Sequence, residues 1–258
     1  MNKIIILTIF AFLSITFFCC NRASTSNDKL ISNDLDIETK DSTITEEIKP
    51  NISKEYILGK INPATDSMFV QVPQKYCLMR TEYIHKDVLE PYIAMYEAAA
   101  LNNINLGLIS AYRSFDTQAW LWNSRYYNSG NPEASAKAVL KYIAMPGTSR
   151  HHWGTDIDVL QTKLYFFETE EGKKAYQWMC DHAHEYGFYQ VYTANRPTGY
   201  NEEKWHWTYL PVSQFYLEQF KEKITYQDLT GFSGSEVAEK LRVIDDYVFG
   251  IDSLLLNN

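Results

Sequence analysis

The sequence predicts an α+β fold in which helices are segregated around a small sheet, and three observations support this prediction. Segments whose apolar residues recur every three or four positions alternate with strand-like segments of four to seven residues. The sequence contains no internal repeat. The 258 residues are 45% hydrophobic and 15% aromatic, which is enough apolar material for one packed core.

The N-terminal region has the anatomy of a secretory signal. Asn2 and Lys3 precede a largely apolar run over residues 4–18, which is shorter than the roughly 20 residues that a membrane-spanning helix needs. Cys19 and Cys20 follow directly, as in a bacterial lipoprotein whose lipidated cysteine becomes the new N-terminus. We expect lipidation at Cys20, with Cys19 as the alternative site and simple secretion as the alternative to lipidation.

The composition changes sharply after the signal. Residues 21–54 are rich in Ser, Thr, Asn and acidic residues, which is typical of a flexible tether. We therefore divide the chain into a signal peptide (1–20), a tether (21–54), a main domain (55–210) and a helical C-terminal extension (211–258). A tether behind a lipid anchor holds a domain off a membrane, so we expect a bacterial envelope protein that faces the periplasm or the cell surface.

Within the main domain, turn-forming residues separate the elements. A helix over residues 88–101 precedes a buried strand over residues 106–110, and a second helix over residues 116–127 ends before a turn with Gly130 and Pro132. Further helical segments are residues 134–143, 172–186, 212–223 and 235–248, and further strand-like segments are residues 157–160, 188–192 and 204–210. Helices and short strands thus alternate, and two helical segments remain at the C-terminal end.

Charge and cysteine content exclude some classes of protein. The net charge of −8 gives the chain no general attraction to nucleic acid. Separately, we expect a monomer. Four cysteines are too few for a disulfide scaffold, and the sequence leaves open whether Cys77 and Cys180 form a disulfide or remain free thiols. The aromatic cluster over residues 120–127 is predicted to form core and groove wall rather than a sugar platform.

Metal-capable side chains fall in two segments that are far apart in the chain. His151 and Asp158 are seven positions apart with Gly154 between them, so a turn at the glycine can bring both onto one ion. His206 is the third candidate ligand. Two histidines and one carboxylate leave a fourth position for water, which is the open coordination of a catalytic Zn²⁺ site, although other divalent ions accept the same ligands.

A carboxylate stands beside the predicted metal site. Glu203 precedes His206 by three residues. A zinc hydrolase needs such a carboxylate to take a proton from water and pass it to the leaving amine. Glu202 is the rival for this role, at a spacing of four. We assign the role to Glu203.

Three motifs, in order along the chain, resemble the zinc D-alanyl-D-alanine carboxypeptidases of the VanY type. They are SAYRSFDTQ over residues 110–118, Ser149-x-His151-x-x-Gly154-x-Asp156-x-Asp158, and Glu203-x-Trp205-His206. The resemblance covers roughly residues 70–210. It implies a zinc peptidase fold of the hedgehog/D,D-peptidase type, with a small antiparallel sheet and surrounding helices.

The resemblance also implies the roles of individual residues. It places Zn²⁺ on His151, Asp158 and His206, with Glu203 as the general base and acid. Arg113 would bind the substrate carboxylate or stabilise the charge that develops at the scissile carbonyl. The other substrate-binding residues would be Gln118, Ser149 and Trp205, of which Trp205 walls the pocket.

Asp156 departs from the family pattern, because relatives most often carry a small apolar residue there. Residues two apart on a strand share a face, so Asp156 is expected either to compete with Asp158 as a ligand or to lower the affinity for an anionic substrate. The motif keeps Asp158 as the ligand. His152, next to a predicted ligand, is assigned to packing or support.

The activity that the resemblance implies is hydrolysis of peptidoglycan stem peptides with release of the C-terminal D-alanine. Relatives include L,D-carboxypeptidases and peptidoglycan endopeptidases, so the bond that is cut stays open. The alternative from another class is a non-catalytic lipoprotein that binds the cell wall. The intact Glu203 argues against that alternative.

Overall fold

The computed structural model describes residues 51–127 and 129–256, and these residues belong to one compact unit. The predicted signal peptide, Cys20 and most of the predicted tether lie outside the described residues. The helices are α1 Lys54–Ile57, α2 Lys86–Ala100, α3 Phe115–Asn123, α4 Pro132–Val139, α5 Glu170–His182 and α6 Leu210–Lys223. The strands are β1 Phe69–Gln71, β2 Tyr83–His85, β3 Leu108–Ser110, β4 Asp156–Val159, β5 Phe188–Gln190 and β6 His206–Tyr209.

The strands form two antiparallel sheets, which confirms the predicted α+β class. β1 pairs with β2, and the other four strands lie in the order β3-β4-β6-β5. Side chains alternate along β4, so Ile157 and Val159 enter a hydrophobic core with α2 and α5, whereas Asp156 and Asp158 belong to the opposite face. The larger sheet therefore has one face in the hydrophobic core and one polar face.

A bulge in β3 adjusts the edge of the polar face. Leu108 pairs with Val159, but Ser110 pairs with Asp158, so β3 carries one extra residue between the two pairs. In a regular strand, Leu108 and Ser110 would share a face. The bulge instead lets Leu108 join the core and puts Ser110 opposite a predicted metal ligand.

The sequence predicted most helices and the four strands of the larger sheet, with bounds displaced by a few residues. It missed α1 and the β1–β2 hairpin, whose elements are too short to show a period. The helix predicted over residues 235–248 is wrong. Arg242 adopts a left-handed φ of 51°, which separates a 3₁₀ turn at Ser235–Val237 from a π-helical segment at Val243–Val248.

The folded unit begins earlier and ends later than the predicted main domain. Ile52 is buried, and the Ser53 side chain caps α1, so residues just before the predicted boundary at 54 belong to the fold. The predicted extension contributes Tyr216, Phe220 and Leu229 to a second core around Trp153. No helix among the residues just described has the length and apolar character needed to cross a bilayer.

Gly154 makes the turn that the sequence predicted between the two metal-site segments. It ends the 3₁₀ helix Arg150–Trp153 with a φ of 68°, and its carbonyl accepts a hydrogen bond from the His85 amide. A Cβ at this position would lie 2.5 Å from Phe69 and 2.9 Å from the His85 nitrogen. Only glycine fits both the backbone conformation and the close approach of β2.

We predict that Gly154→Ala lowers the free energy of unfolding by about 3 kcal/mol, of which about 1–2 kcal/mol is the left-handed conformation and the rest is the clash. Gly231→Ala is the matched control, because Gly231 has a φ of 88° and open space around it. We expect it to cost only about 1–2 kcal/mol in denaturant unfolding. Equal losses in the two variants would contradict the role of close packing at Gly154.

Candidate metal centre and active site

The β4–β6 pairing builds the centre of the site. Asp158 on β4 lies directly opposite His206, the first residue of β6, and His151 enters from the 3₁₀ helix before the Gly154 turn. One potential ligand atom from each of His151, Asp158 and His206 lies within 4.8 Å of the others. Asp158 Oδ1 is 3.3 Å from His151 Nε2 and 3.3 Å from His206 Nδ1. The structure thus brings together the three predicted ligands, all of them buried.

Hydrogen bonds on the far side of each ring orient the two histidines. His151 Nδ1 donates to the Ala111 carbonyl at 2.7 Å, which leaves the lone pair of Nε2 facing Asp158. His206 uses the opposite arrangement: Nε2 donates to Asp156 Oδ2 at 2.9 Å, and Nδ1 faces Asp158. Both rings therefore present a lone pair to the same point, as metal-binding imidazoles do.

The donor set fits a divalent cation. Asp158 Oδ1 is buried and makes no hydrogen bond within the described chain. It faces two ring nitrogens that, in the tautomers just described, carry no hydrogen to donate. An anionic oxygen and two lone pairs at one buried point repel one another unless a positive ion lies between them. Two imidazoles and a carboxylate are also ligands that zinc prefers.

Glu203 lies beside this centre and lines the same cleft. Its Oε2 is 3.5 Å from His206 Nδ1, and the residue is only 5% exposed. Burial, together with the charge of Asp158, raises the pKa of Glu203 to about 8, although His206 and Arg113 oppose the shift. A cation at the centre would favour the ionised form. Glu202 does not line the cleft, so the geometry favours Glu203 as the proton-transfer residue.

Arg113 lies on the other side of Asp158. Its Nη2 is 3.4 Å from Asp158 Oδ2 and donates to Ser110 Oγ at 3.1 Å, while Nη1 donates to Gln118 Oε1 at 2.9 Å. The guanidinium is thereby held at the cleft wall with its plane fixed by neutral acceptors. A fixed guanidinium suits recognition of a carbonyl or carboxylate.

The substrate-binding predictions have different outcomes. Ser149 and Trp205 line the cleft, and Trp205 packs against Tyr142 and Phe167. Gln118 differs from the prediction of direct substrate contact: it is fully buried, and its Nε2 donates to the Ala144 carbonyl at 2.7 Å. Because both ends of its amide are already bonded, Gln118 acts on the cleft through Arg113.

The expectation that Asp156 competes as a ligand is wrong. Asp156 is fully buried, and its two oxygens accept hydrogen bonds from Arg150, His206, Thr155 and Thr208. Asp156 does not line the cleft. The sequence showed the departure from the family pattern but not these partners, because Thr208 lies about fifty positions away.

The other residues singled out from the sequence lie outside the centre. His152 Nδ1 donates to the Arg113 carbonyl at 2.6 Å and its Nε2 accepts from the Gly147 amide at 3.0 Å, which supports the assignment to packing. Cys77 and Cys180 are free thiols, the first partly buried and the second exposed. Sequence reasoning missed Tyr192, whose ring lies 4.8 Å from that of His206 in the cleft wall.

The residues of the site line a cleft of about 920 Å³. Five lysine or arginine side chains and only two carboxylates line it, although the chain as a whole carries a net charge of −8. The cations are Arg80, Arg113, Arg125, Arg150 and Lys163, of which Arg150 is paired with the buried Asp156, and the carboxylates are Asp158 and Glu203. The overall acidity therefore does not describe the cleft.

The family model for VanY, D-alanyl-D-alanine carboxypeptidase, matches residues 81–212, which is just over half of the chain. The chain belongs to this family. The matched segment contains all the residues of the metal centre together with Arg113 and Glu203. Family membership supports an enzyme, and it supports the carboxypeptidase class.

Individual relatives agree with this membership. The Bacillus subtilis protein YodJ is 28% identical over 162 residues, which are 57% of this chain and 56% of YodJ. A D-alanyl-D-alanine carboxypeptidase of Enterococcus faecalis is 26% identical over 131 residues, 48% of this chain and 47% of that protein. The chain thus spans about half the length of the curated relatives it matches.

Similar solved structures include two peptidases. The vancomycin-resistance D,D-pentapeptidase VanY, solved with Zn(II), is 20% identical, and the match covers 64% of this chain and 92% of that one with a TM-score of 0.44. The L,D-carboxypeptidase DacB from Streptococcus pneumoniae is 27% identical, and the match covers 64% of this chain and 83% of that one with a TM-score of 0.40.

We predict that the protein binds one zinc ion per chain and that His206→Ala weakens zinc binding by at least about 100-fold, more than the roughly 10–100-fold typical of an outer hydrogen-bonding partner. Competition with a chromophoric chelator measures the dissociation constant. His184→Ala is the control, because His184 is exposed and remote from the centre. Equal zinc affinity in the two variants would show that His206 is not a ligand.

Proposed function

We propose that this chain is a zinc-dependent carboxypeptidase that releases the C-terminal D-alanine from peptidoglycan stem peptides. The observation that supports the proposal most directly is the convergence of a general base and a fixed guanidinium on the His151, Asp158 and His206 centre. Membership of the VanY family supports the substrate class. The residues of the centre would hold zinc, whose chemistry when bound is to polarise a carbonyl oxygen and to acidify water.

Glu203 has the position and environment for proton transfer in peptide hydrolysis. It takes a proton from the attacking water as the oxygen forms a bond to the scissile carbonyl carbon. It then gives that proton to the nitrogen of the departing D-alanine as the carbon–nitrogen bond breaks. Because Glu203 is buried, exchange of that proton with bulk water is limited.

Arg113 orients the substrate and stabilises negative charge. Its two terminal nitrogens are tied to Gln118 and Ser110, so the guanidinium does not reorganise when charge develops. The groups nearest to it that a stem peptide offers are the scissile carbonyl oxygen and the terminal carboxylate. Trp205 supplies an apolar wall for the side chain of the terminal residue.

The cleft is larger than a terminal dipeptide requires. Its volume lies at the upper end of the roughly 300–1,000 Å³ that is typical of small-molecule sites. Trp120 and Tyr165 are both 71% exposed at its wall, near the cations Arg125 and Lys163. Apolar and cationic walls suit an extended peptide that carries several free carboxylates, as a peptidoglycan stem does.

The experiment that tests this proposal is an assay of the purified protein on a stem pentapeptide, with product masses read by mass spectrometry. We expect loss of one D-alanine, inhibition by a chelator and recovery with Zn²⁺. Loss of the fourth residue from a tetrapeptide would favour an L,D-carboxypeptidase, and cleavage of cross-linked dimers an endopeptidase. No zinc-dependent product from any muropeptide would contradict the enzyme proposal and favour a cell-wall-binding protein.

Glu203→Gln should lower kcat/KM by roughly 100- to 10,000-fold, the usual contribution of general acid–base catalysis, because the amide cannot accept the proton. Zinc affinity should remain within a few-fold of the unsubstituted value. Glu202→Gln is the matched control, since Glu202 is the adjacent glutamate and does not line the cleft. A larger loss of activity in Glu202→Gln than in Glu203→Gln would reverse the assignment.

We further propose that the protein is a lipoprotein of the bacterial cell envelope. The apolar run that ends at two cysteines and the polar segment behind them support this location. Such an anchor would keep the enzyme beside its polymeric substrate.

Cys20→Ser should abolish incorporation of labelled palmitate and release the protein from the membrane fraction, because serine offers no thiol for lipidation. Cys19→Ser is the paired variant and should retain both properties. The reverse result would make Cys19 the lipidated residue. Unchanged membrane association in both single variants and in the double variant would contradict the lipoprotein proposal.

A further inference from the structure

A buried ionic network lies behind the metal centre and centres on Asp156. Its Oδ2 accepts hydrogen bonds from Arg150 Nε at 2.7 Å and from His206 Nε2 at 2.9 Å. Its Oδ1 accepts from the hydroxyl groups of Thr208 at 2.7 Å and Thr155 at 2.9 Å. All four donors are buried within the protein. This carboxylate is saturated by protein donors.

Arg150 completes the network and balances its charge. The guanidinium is 2% exposed, donates from Nη2 to Thr208 Oγ1 at 3.0 Å and lies 4.8 Å from the centre of the Trp153 ring. Thr208 therefore donates to Asp156 while it accepts from Arg150. The Arg150–Asp156 pair therefore adds no net charge to the centre, and Thr208 links its two members.

The network fixes the tautomer of His206. A saturated carboxylate oxygen beside Nε2 can only accept, so in the neutral, metal-binding ring the hydrogen lies on Nε2 and the lone pair lies on Nδ1. Nδ1 is the atom that faces Asp158 and Glu203. His151 reaches the same result with a backbone carbonyl as the acceptor. The two histidines thus differ in their acceptor: a side chain accepts the hydrogen bond from His206, whereas the backbone accepts the one from His151.

We propose that Asp156 is a positioning residue for the metal centre: through its hydrogen bond to His206 it holds that ring in the metal-binding tautomer and orientation, and Arg150 and Thr208 hold Asp156. The inference rests on the proposed function. It assigns a purpose to the aspartate that the motif resemblance singled out, since a small apolar residue at this position would offer His206 no acceptor. A carboxylate acceptor also makes the imidazole a stronger donor to a cation.

Zinc affinity is the readout that tests this proposal, measured by chelator competition on the full folded protein beside the stem-peptide assay. Asp156→Ala should raise the zinc dissociation constant about 10- to 100-fold. Asp156→Asn should lie between that variant and the unsubstituted protein, because the amide oxygen still accepts from His206 but carries no charge. Thr208→Val removes two hydrogen bonds that hold Asp156 but leaves the Asp156–His206 contact in place, so it should weaken zinc binding less than Asp156→Ala does.

A second variant separates positioning from folding. Asp156→Ala leaves the Arg150 guanidinium buried without its carboxylate, which can destabilise the fold. The double variant D156A/R150M removes both charges and should still show the weakened zinc binding. Native zinc affinity in the double variant, or a loss in Asp156→Ala no larger than that in Thr208→Val, would overturn the positioning role.

The two proposals fail in different ways. If the unsubstituted protein binds zinc but hydrolyses no stem peptide, the proposed reaction is wrong and the zinc titration still decides the role of Asp156. If it hydrolyses the peptide and Asp156→Ala binds zinc with native affinity, only the positioning role is wrong. An unsubstituted protein that binds no zinc would overturn both.

Discussion

The antiparallel pairing of β4 with β6 is the constraint on which the rest of the structure depends. Its register sets Asp158 against His206 and Asp156 against Thr208, while Ile157 pairs with Trp207 between them. A slip of one residue would turn the polar side chains into the core and the apolar ones into the cleft. Both strands have only four residues, so their hydrogen bonds alone specify little. Burial of the apolar face fixes the register, and the site on the other face follows from it.

Several charged side chains are buried on that polar face, and each of these buried charges needs a partner. Burying a charge without a partner is costly, and removal of one member of a buried pair costs about 3–5 kcal/mol. Asp156 is compensated by Arg150 and the two threonine hydroxyls. Asp158 has Arg113 on one oxygen only, and its other oxygen faces two imidazole lone pairs. Of these two buried carboxylates, Asp158 therefore has the fewer partners, and it is also the one at which the three predicted ligands converge.

The site was easier to predict from the sequence than the arrangement that supports it. His151, Asp158, Glu203 and His206 are recognisable because their spacing follows from chemistry that needs particular side chains. Gln118 was placed in the right neighbourhood but assigned a direct contact, because a motif does not reveal which neighbour occupies an amide. The β3 bulge has no signal in a strand of three residues. The left-handed Arg242 breaks a segment whose apolar spacing is helical, and tertiary packing overrides that pattern.

The C-terminal segment packs against the loop that carries the predicted metal ligand His151. This segment lies largely beyond the residues matched by the family model. Trp153 follows directly after the Arg150–His152 segment and stacks on Tyr216 of α6 at 6.1 Å, with Phe220 at 6.3 Å. Arg150 in turn lies over the Trp153 ring and binds Asp156. A continuous series of contacts thus leads from α6 through Trp153 and Arg150 to Asp156 and then to His206. The loop that carries the predicted metal ligand His151 is thus packed against α6, an element outside the sheet.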